Sequence, residues 1–119
     1  MIKVATGFAS NTAVGLSTGD GATIVLDPRT GHLQTVLMDR GWLTDVRTAA
    51  AVAVACRHLT RTAPARLAIR GTGVQAELTV RTLDAIGALP PQVAIWGRSY
   101  DKATRLAHAL GSTTREIVV

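Results

Sequence analysis

Six residues, Gly71-Thr72-Gly73-Val74-Gln75-Ala76, constrain this chain more than any other feature. They lie between a short apolar run, Leu67 to Ile69, and a helical pattern that extends from Val74 to Ile86. A strand that turns tightly into a helix needs a residue without Cβ, and Gly71 supplies it. Gly73 lets the backbone approach a ligand closely, and Ala76 is the small residue where helix meets strand. The helix start then offers unpaired N–H groups and a partial positive charge, a setting that suits phosphate. In this strand–turn–helix context the spacing is a dinucleotide-binding fingerprint. Gly71, Thr72, Gly73, Val74 and Gln75 are the residues expected to cradle a pyrophosphate. The plain alternative is a glycine turn in an α/β domain that holds nothing.

The chain beyond the fingerprint supports the first reading. Pro90-Pro91 breaks the backbone before a strand at Gln92 to Trp96. Ser99 can cap a helix through Leu110, with Ala103, Leu106, Ala107 and Leu110 at helical spacing and Gly111 as its C′ residue. Ile117 to Val119 reads as one more strand. Along the preceding helix, Val74, Leu78, Thr82 and Ala85 are expected on one side. The order β-α-β-α-β is the first half of a Rossmann sheet. About 20 residues past the glycines such domains usually place an acid that binds the ribose 2′-hydroxyl. Here Gly97-Arg98-Ser99 follow Trp96 and include no acid. Gly97 leaves room for a bulky group, Arg98 can pair with a 2′-phosphate, and Ser99 offers a hydroxyl, so NADP is expected over NAD. Arg70 departs from the apolar habit of such strands: either it points from the strand end toward a ligand, or the strand stops early.

The first 60 residues read differently. Lys3 to Phe8 is a candidate strand, and Asn11 to Gly21 is a Gly-, Ser- and Thr-rich loop. Two runs, Ala22 to Asp27 and His32 to Met38, flank Asp27-Pro28-Arg29-Thr30-Gly31, whose order suits a type I turn followed by a left-handed residue. They predict a β-hairpin. An Ala-rich helix is expected from about Thr44, with the Thr44 hydroxyl as cap and Asp45 at the positive end of the dipole. It runs to Arg61, where Thr62-Ala63-Pro64 ends it.

Charge narrows the partners. The net charge is +5, but the arginines are scattered and only four aromatic residues are present to stack on bases, so nucleic acid is not expected. The apolar runs are too short for a membrane span and the N-terminus lacks a secretory signal, so the expected location is cytoplasmic. Cys56, the single cysteine, reads as a small buried hydrophobe. No metal is expected.

Together the residues resemble the ornithine cyclodeaminase and mu-crystallin family over nearly the whole chain. The resemblance rests on Lys3 with Phe8 and Asn11, Gly15-Leu16-Ser17-Thr18, Asp27 with Thr30-Gly31, Leu43-Thr44 with Arg47-Thr48-Ala49-Ala50, and the fingerprint. It implies a β-rich substrate and dimerisation lobe followed by the first half of a Rossmann NAD(P) domain, here residues 1–62 and 63–119. It also implies a small amino- or imino-acid substrate, a homodimer in the complete protein, and cyclodeaminase, imine reductase or alanine dehydrogenase chemistry. By the same resemblance Lys3 is the catalytic, carboxylate-binding lysine and Arg47 holds the substrate carboxylate. Thr18, Arg47 and Thr48 lie near the cofactor. Independently of the family, an α-carboxylate calls for cations, and arginine offers a bidentate fork. Family members are about three times as long, so the chain is expected to be a central fragment. It lacks counterparts of an early substrate-binding arginine and a later catalytic aspartate and should be inactive alone. Ser17 also stands where the family commonly has proline. A non-catalytic small-molecule or NADP binder of the mu-crystallin kind is the alternative.

Overall fold

The computed structural model describes residues 1–60, 63–111 and 116–118. The chain divides into two compact units, Met1–Val46 and Arg47–Val119. Arg61, Thr62 and Val119, where a helix end and a strand end are expected, lie outside the described residues.

The first unit is an antiparallel sheet in the order β1-β2-β3, with β1 at Ile2–Gly7, β2 at Gly19–Leu26 and β3 at Leu33–Leu37. The expected hairpin is present. Gly31 adopts φ +73°, and its N–H donates to the Asp27 carbonyl at 2.9 Å. The Asp27 carboxylate accepts from the N–H groups of Arg29 and Thr30, both at 2.8 Å, and so fixes the turn. The expected Asn11–Gly21 loop is corrected in two places. Ala9–Val14 forms a 3₁₀ helix closed by Gly15 at φ +72°, and β2 already begins at Gly19. The remaining bend is held by Asn11 Nδ2, which donates to the Ser17 carbonyl at 2.8 Å.

Helix α1, Trp42–Leu59, starts two residues before the expected position, and its cap is not Thr44. Arg40 and Gly41 both take left-handed backbone, φ +50° and +84°, which turns the chain back over Asp39. The Asp39 carboxylate then accepts from the N–H of Gly41 at 3.0 Å and of Leu43 at 3.3 Å. A carboxylate at this end also favours the helix dipole. Thr44 lies inside the first turn, where its own N–H donates to the Gly41 carbonyl.

The second unit continues with β4 (Arg66–Arg70), α2 (Val74–Ala85), β5 (Gln92–Trp96), α3 (Tyr100–Leu110) and β6 (Glu116–Val118). The strands are parallel in the order β4-β5-β6. The buried cluster contains Ala53, Val80, Leu83, Leu89, Val93, Ile95, Leu106 and Leu110. Helix α2 buries Ala76, Thr79, Val80 and Leu83, not the expected Val74, Leu78, Thr82 and Ala85. The correct stripe begins at Ala76, because the glycine turn sets the helix so that its third residue meets the sheet. Val74 is left 53% exposed at the helix start. Helix α2 closes at Gly87 (φ +67°): its N–H donates to the Asp84 carbonyl, and that of Ala88 to Leu83 at 2.8 Å. Gly111, expected in that left-handed role for α3, is instead right-handed at φ −64°, with its N–H donating to His108. Among the described residues no helix is long and apolar enough to cross a membrane.

The two backbone N–H groups, Thr30 first and then Arg29, hold the Asp27 carboxyl below the usual aspartate range. A lowered folded-state pKa means that the contribution is whole above the unfolded pKa and is lost as pH falls through the folded one. Asp27→Ala should therefore lower the thermal midpoint at neutral pH. The gap from the parent should close in acid as the parent's carboxyl is protonated, and a gap independent of pH would refute this account.

Candidate functional site

The parallel sheet brings the C-terminal ends of β4 and β5 side by side. Arg70 pairs in register with Trp96, and the next N–H, that of Gly71, donates to the Trp96 carbonyl at 2.8 Å. The chain leaves β4 through Gly71 at φ +136°, a backbone conformation open essentially only to glycine. Gly73 follows as the residue before α2, with extended backbone and no side chain to cap the helix. A Cβ built on Gly71 or Gly73 would meet nothing within 4 Å, so the outer side of the turn is open space. The helix start is thus directed at a place a ligand can reach.

An open cavity of about 680 Å³ lies at these strand ends. Five expected residues line it together: Gly71 and Thr72 after β4, and Gly97, Arg98 and Ser99 after β5. Gly73, Val74 and Gln75 continue from that wall into the first turn of α2. Lys3 and Thr18 stand on the first unit, Lys3 half-buried in β1 opposite Thr23 and Thr18 exposed, its carbonyl accepting from Phe8 at 2.8 Å. Arg47 and Thr48 sit in α1, Arg47 exposed. None of these four lines the cavity.

Sequence reasoning missed two lining residues, Trp96 and Lys102, and left a third, Arg70, between pointing toward a ligand and marking an early strand end. Arg70 belongs to β4, which settles the question of where that strand ends, and its guanidinium lies over the Trp96 ring, 5.0 Å from the centroid. The register of two parallel strands ending together carries this pair, and no motif names it. Lys102 was legible, since Ser99 Oγ accepts from its N–H and so places it in the first turn of α3. The reading of Gly97 is corrected. Its missing Cβ does not leave space for a ligand group, because a Cβ there would stand 2.7 Å from the Thr72 γ-methyl. Gly97 lets the two turns touch. The role expected of Ser99 as helix cap holds, at 3.4 Å. A second cavity, about 530 Å³ and lined by Cys56, Leu89 and Pro90 among others, lies by the entry to β5. In open parallel sheets ligands bind at the carboxyl ends of strands, which favours the first cavity.

Residues 1–119 match the model of the ornithine cyclodeaminase/mu-crystallin family, and the chain belongs to that family. It is 42% identical over 109 residues to an uncharacterized cyclodeaminase of Sinorhizobium fredii, covering 92% of this chain and 33% of the relative. It is 33% identical over 108 residues to a Delta(1)-pyrroline-2-carboxylate reductase of Paracoccus denitrificans, covering 91% and 34%. Among solved structures it is similar to the Thermococcus litoralis Delta(1)-pyrroline-2-carboxylate reductase in complex with NADH and L-proline. That match has a TM-score of 0.78 and 26% identity over 98% of this chain and 36% of the other. A lysine cyclodeaminase whose structure addresses recognition of L-lysine, L-ornithine and L-2,4-diaminobutyric acid matches with a TM-score of 0.73 and 30% identity, covering 97% and 33%. The chain spans about a third of the length of the curated relatives it matches.

The contact between the two turns gives a direct test. Gly97→Ala should destabilise the protein by about 1–3 kcal/mol through overpacking. Thr72→Ser removes the obstructing methyl, so the double variant should regain most of that loss in urea unfolding. Additive single effects would mean that the turns do not press on each other.

Proposed function

We propose that this chain carries part of the cofactor and substrate machinery of an NAD(P)-dependent enzyme that acts on a small amino or imino acid. The observation that carries the reading is the cavity at the ends of β4 and β5. The left-handed Gly71, the open approach at Gly73 and the start of α2 meet there with a wall supplied by the β5–α3 connection. These features fit a dinucleotide. Backbone from Gly71 to Gln75 would hold the pyrophosphate at the start of α2. The NADH complex of the reductase and the NAD complex of a Paracoccus denitrificans iminosuccinate reductase, 25% identical with a TM-score of 0.74, support a nicotinamide cofactor.

In this reading residues 63–119 are the first half of a Rossmann domain, and residues 1–62 contribute to a substrate lobe. Lys3 and Arg47 bind the substrate carboxylate, Lys3 next to the reacting carbon, while Thr18 and Thr48 border the cofactor. Fixing a carboxylate with one ammonium and one forked guanidinium sets both its position and its plane. The bound nicotinamide supplies the hydride chemistry. The exposed Ile2, Val4, Val36 and Leu37 on the antiparallel sheet support the further proposal that the complete protein is a homodimer.

NADP is the preferred cofactor in this proposal. Among the described residues no carboxylate lines the β5–α3 wall to repel a 2′-phosphate, and Arg98 and Ser99 are present to bind it. A hydrogen bond to a charged group contributes about 1.5–3 kcal/mol. Calorimetric titration should show tighter binding of NADP than of NAD, and Arg98→Ala should erase roughly 10- to 100-fold of the ratio. Equal affinities in the parent, or a ratio that survives the substitution, would end the NADP assignment. Substrate-dependent turnover separates an enzyme from a binder of the mu-crystallin kind.

A further inference from the structure

Arg98 and Ser99 leave two cations of the same cavity without a role. Arg70 enters it from the end of β4, and Lys102 from the first turn of α3. We propose that Arg70 and Lys102 are specificity-determining residues that complete, with Arg98, a cup for a phosphomonoester dianion. This rests on the nucleotide reading of the site, and the group assigned to the cup is the phosphate on the adenosine 2′-oxygen.

The two arginines of β4 show what is unusual about Arg70. Both point away from the face on which Leu67 and Ile69 pack against the core. Arg66, at the strand's start, faces its register partner Gln92 and donates to Gln92 Oε1 through Nε at 3.1 Å and Nη2 at 2.8 Å. Arg70 faces Trp96, which offers a ring and no acceptor. A cation–π contact engages the guanidinium charge but gives its N–H groups no acceptor. The ring holds the cation in place without neutralising it.

Lys102 is in a similar position. Its backbone N–H is taken by Ser99 Oγ, which fixes the residue on the turn that carries Arg98. Among the described residues no carboxylate pairs with Arg70, Arg98 or Lys102, and the ion pair present is Arg81–Glu77 on α2. Asp101, the acid nearest in sequence, does not line the cavity. Three unneutralised cations around one opening repel one another, and an anion of charge near −2 relieves all three. The pyrophosphate does not account for them. It is served by the glycine turn and the start of α2, which need no side-chain charge.

Titration with 2′,5′-ADP and with 5′-AMP separates the terms, because the two probes differ only in the 2′-phosphate. Lys102→Gln and Arg70→Met should each weaken 2′,5′-ADP about tenfold and 5′-AMP less than twofold. Arg70→Lys should recover part of the loss, and both neutral variants should lower the salt dependence of 2′,5′-ADP binding. If correctly folded variants keep the parent's preference between the probes, or lose both probes equally, the cup assignment falls and the nucleotide reading stands. If the parent binds neither probe, the nucleotide reading falls and the assignment falls with it.

Discussion

The second unit depends on the parallel register that ends β4 and β5 at the same level. The hydrogen bond from the Gly71 N–H to the Trp96 carbonyl extends that register one residue past β4. Gly71 must then turn without moving away from its neighbour, and φ +136° achieves this. The turn sets the phase of α2, which decides that Ala76, Val80 and Leu83 meet the sheet. It also places Thr72 against Gly97, so the two connections form a single wall. Packing and site geometry share this origin: the backbone conformation that buries the helix stripe also opens the helix start to a ligand.

Much of this was legible in the sequence because it is local. Strand, turn and helix limits follow from spacings of a few residues, and β5 and α3 stand where Pro90-Pro91, Ser99 and the apolar stripe place them. The Asp27 turn was legible for the same reason, since its hydrogen bonds join residues two and three apart. The failures have separate causes. Asp39 displaces Thr44 as cap because left-handed backbone at Arg40 and Gly41 folds the chain over it, and a non-glycine residue at positive φ leaves little trace in a sequence. The α2 stripe was misread because its phase follows from the backbone conformation of the Gly71 turn, which spacing along the helix does not reveal. Gly111 is right-handed although it follows a helix, since a 3₁₀-type bond to His108 already satisfies the last turn.

The candidate site divides along the same line. The glycines and Arg98 belong to a motif with defined spacing. Arg70 and Trp96 are 26 residues apart in sequence and meet only through strand register. Such a pair becomes visible once the register is known and not before.

The electrostatics of the wall also separate fold from function. A surface cation costs little, and cation–π stacking at an exposed ring contributes about 0.5–1 kcal/mol, so the Arg70–Trp96 pair is a modest stabiliser. An apolar residue at position 70 would serve β4 at least as well, as Leu67 and Ile69 do on the opposite face. The fold therefore does not require three cations at this opening, and they sit beside the glycine turn proposed to hold the pyrophosphate. A site in which backbone N–H groups bind one phosphate group and side chains bind another can treat the two separately. The first sets affinity for any dinucleotide, and the second sets the choice between dinucleotides.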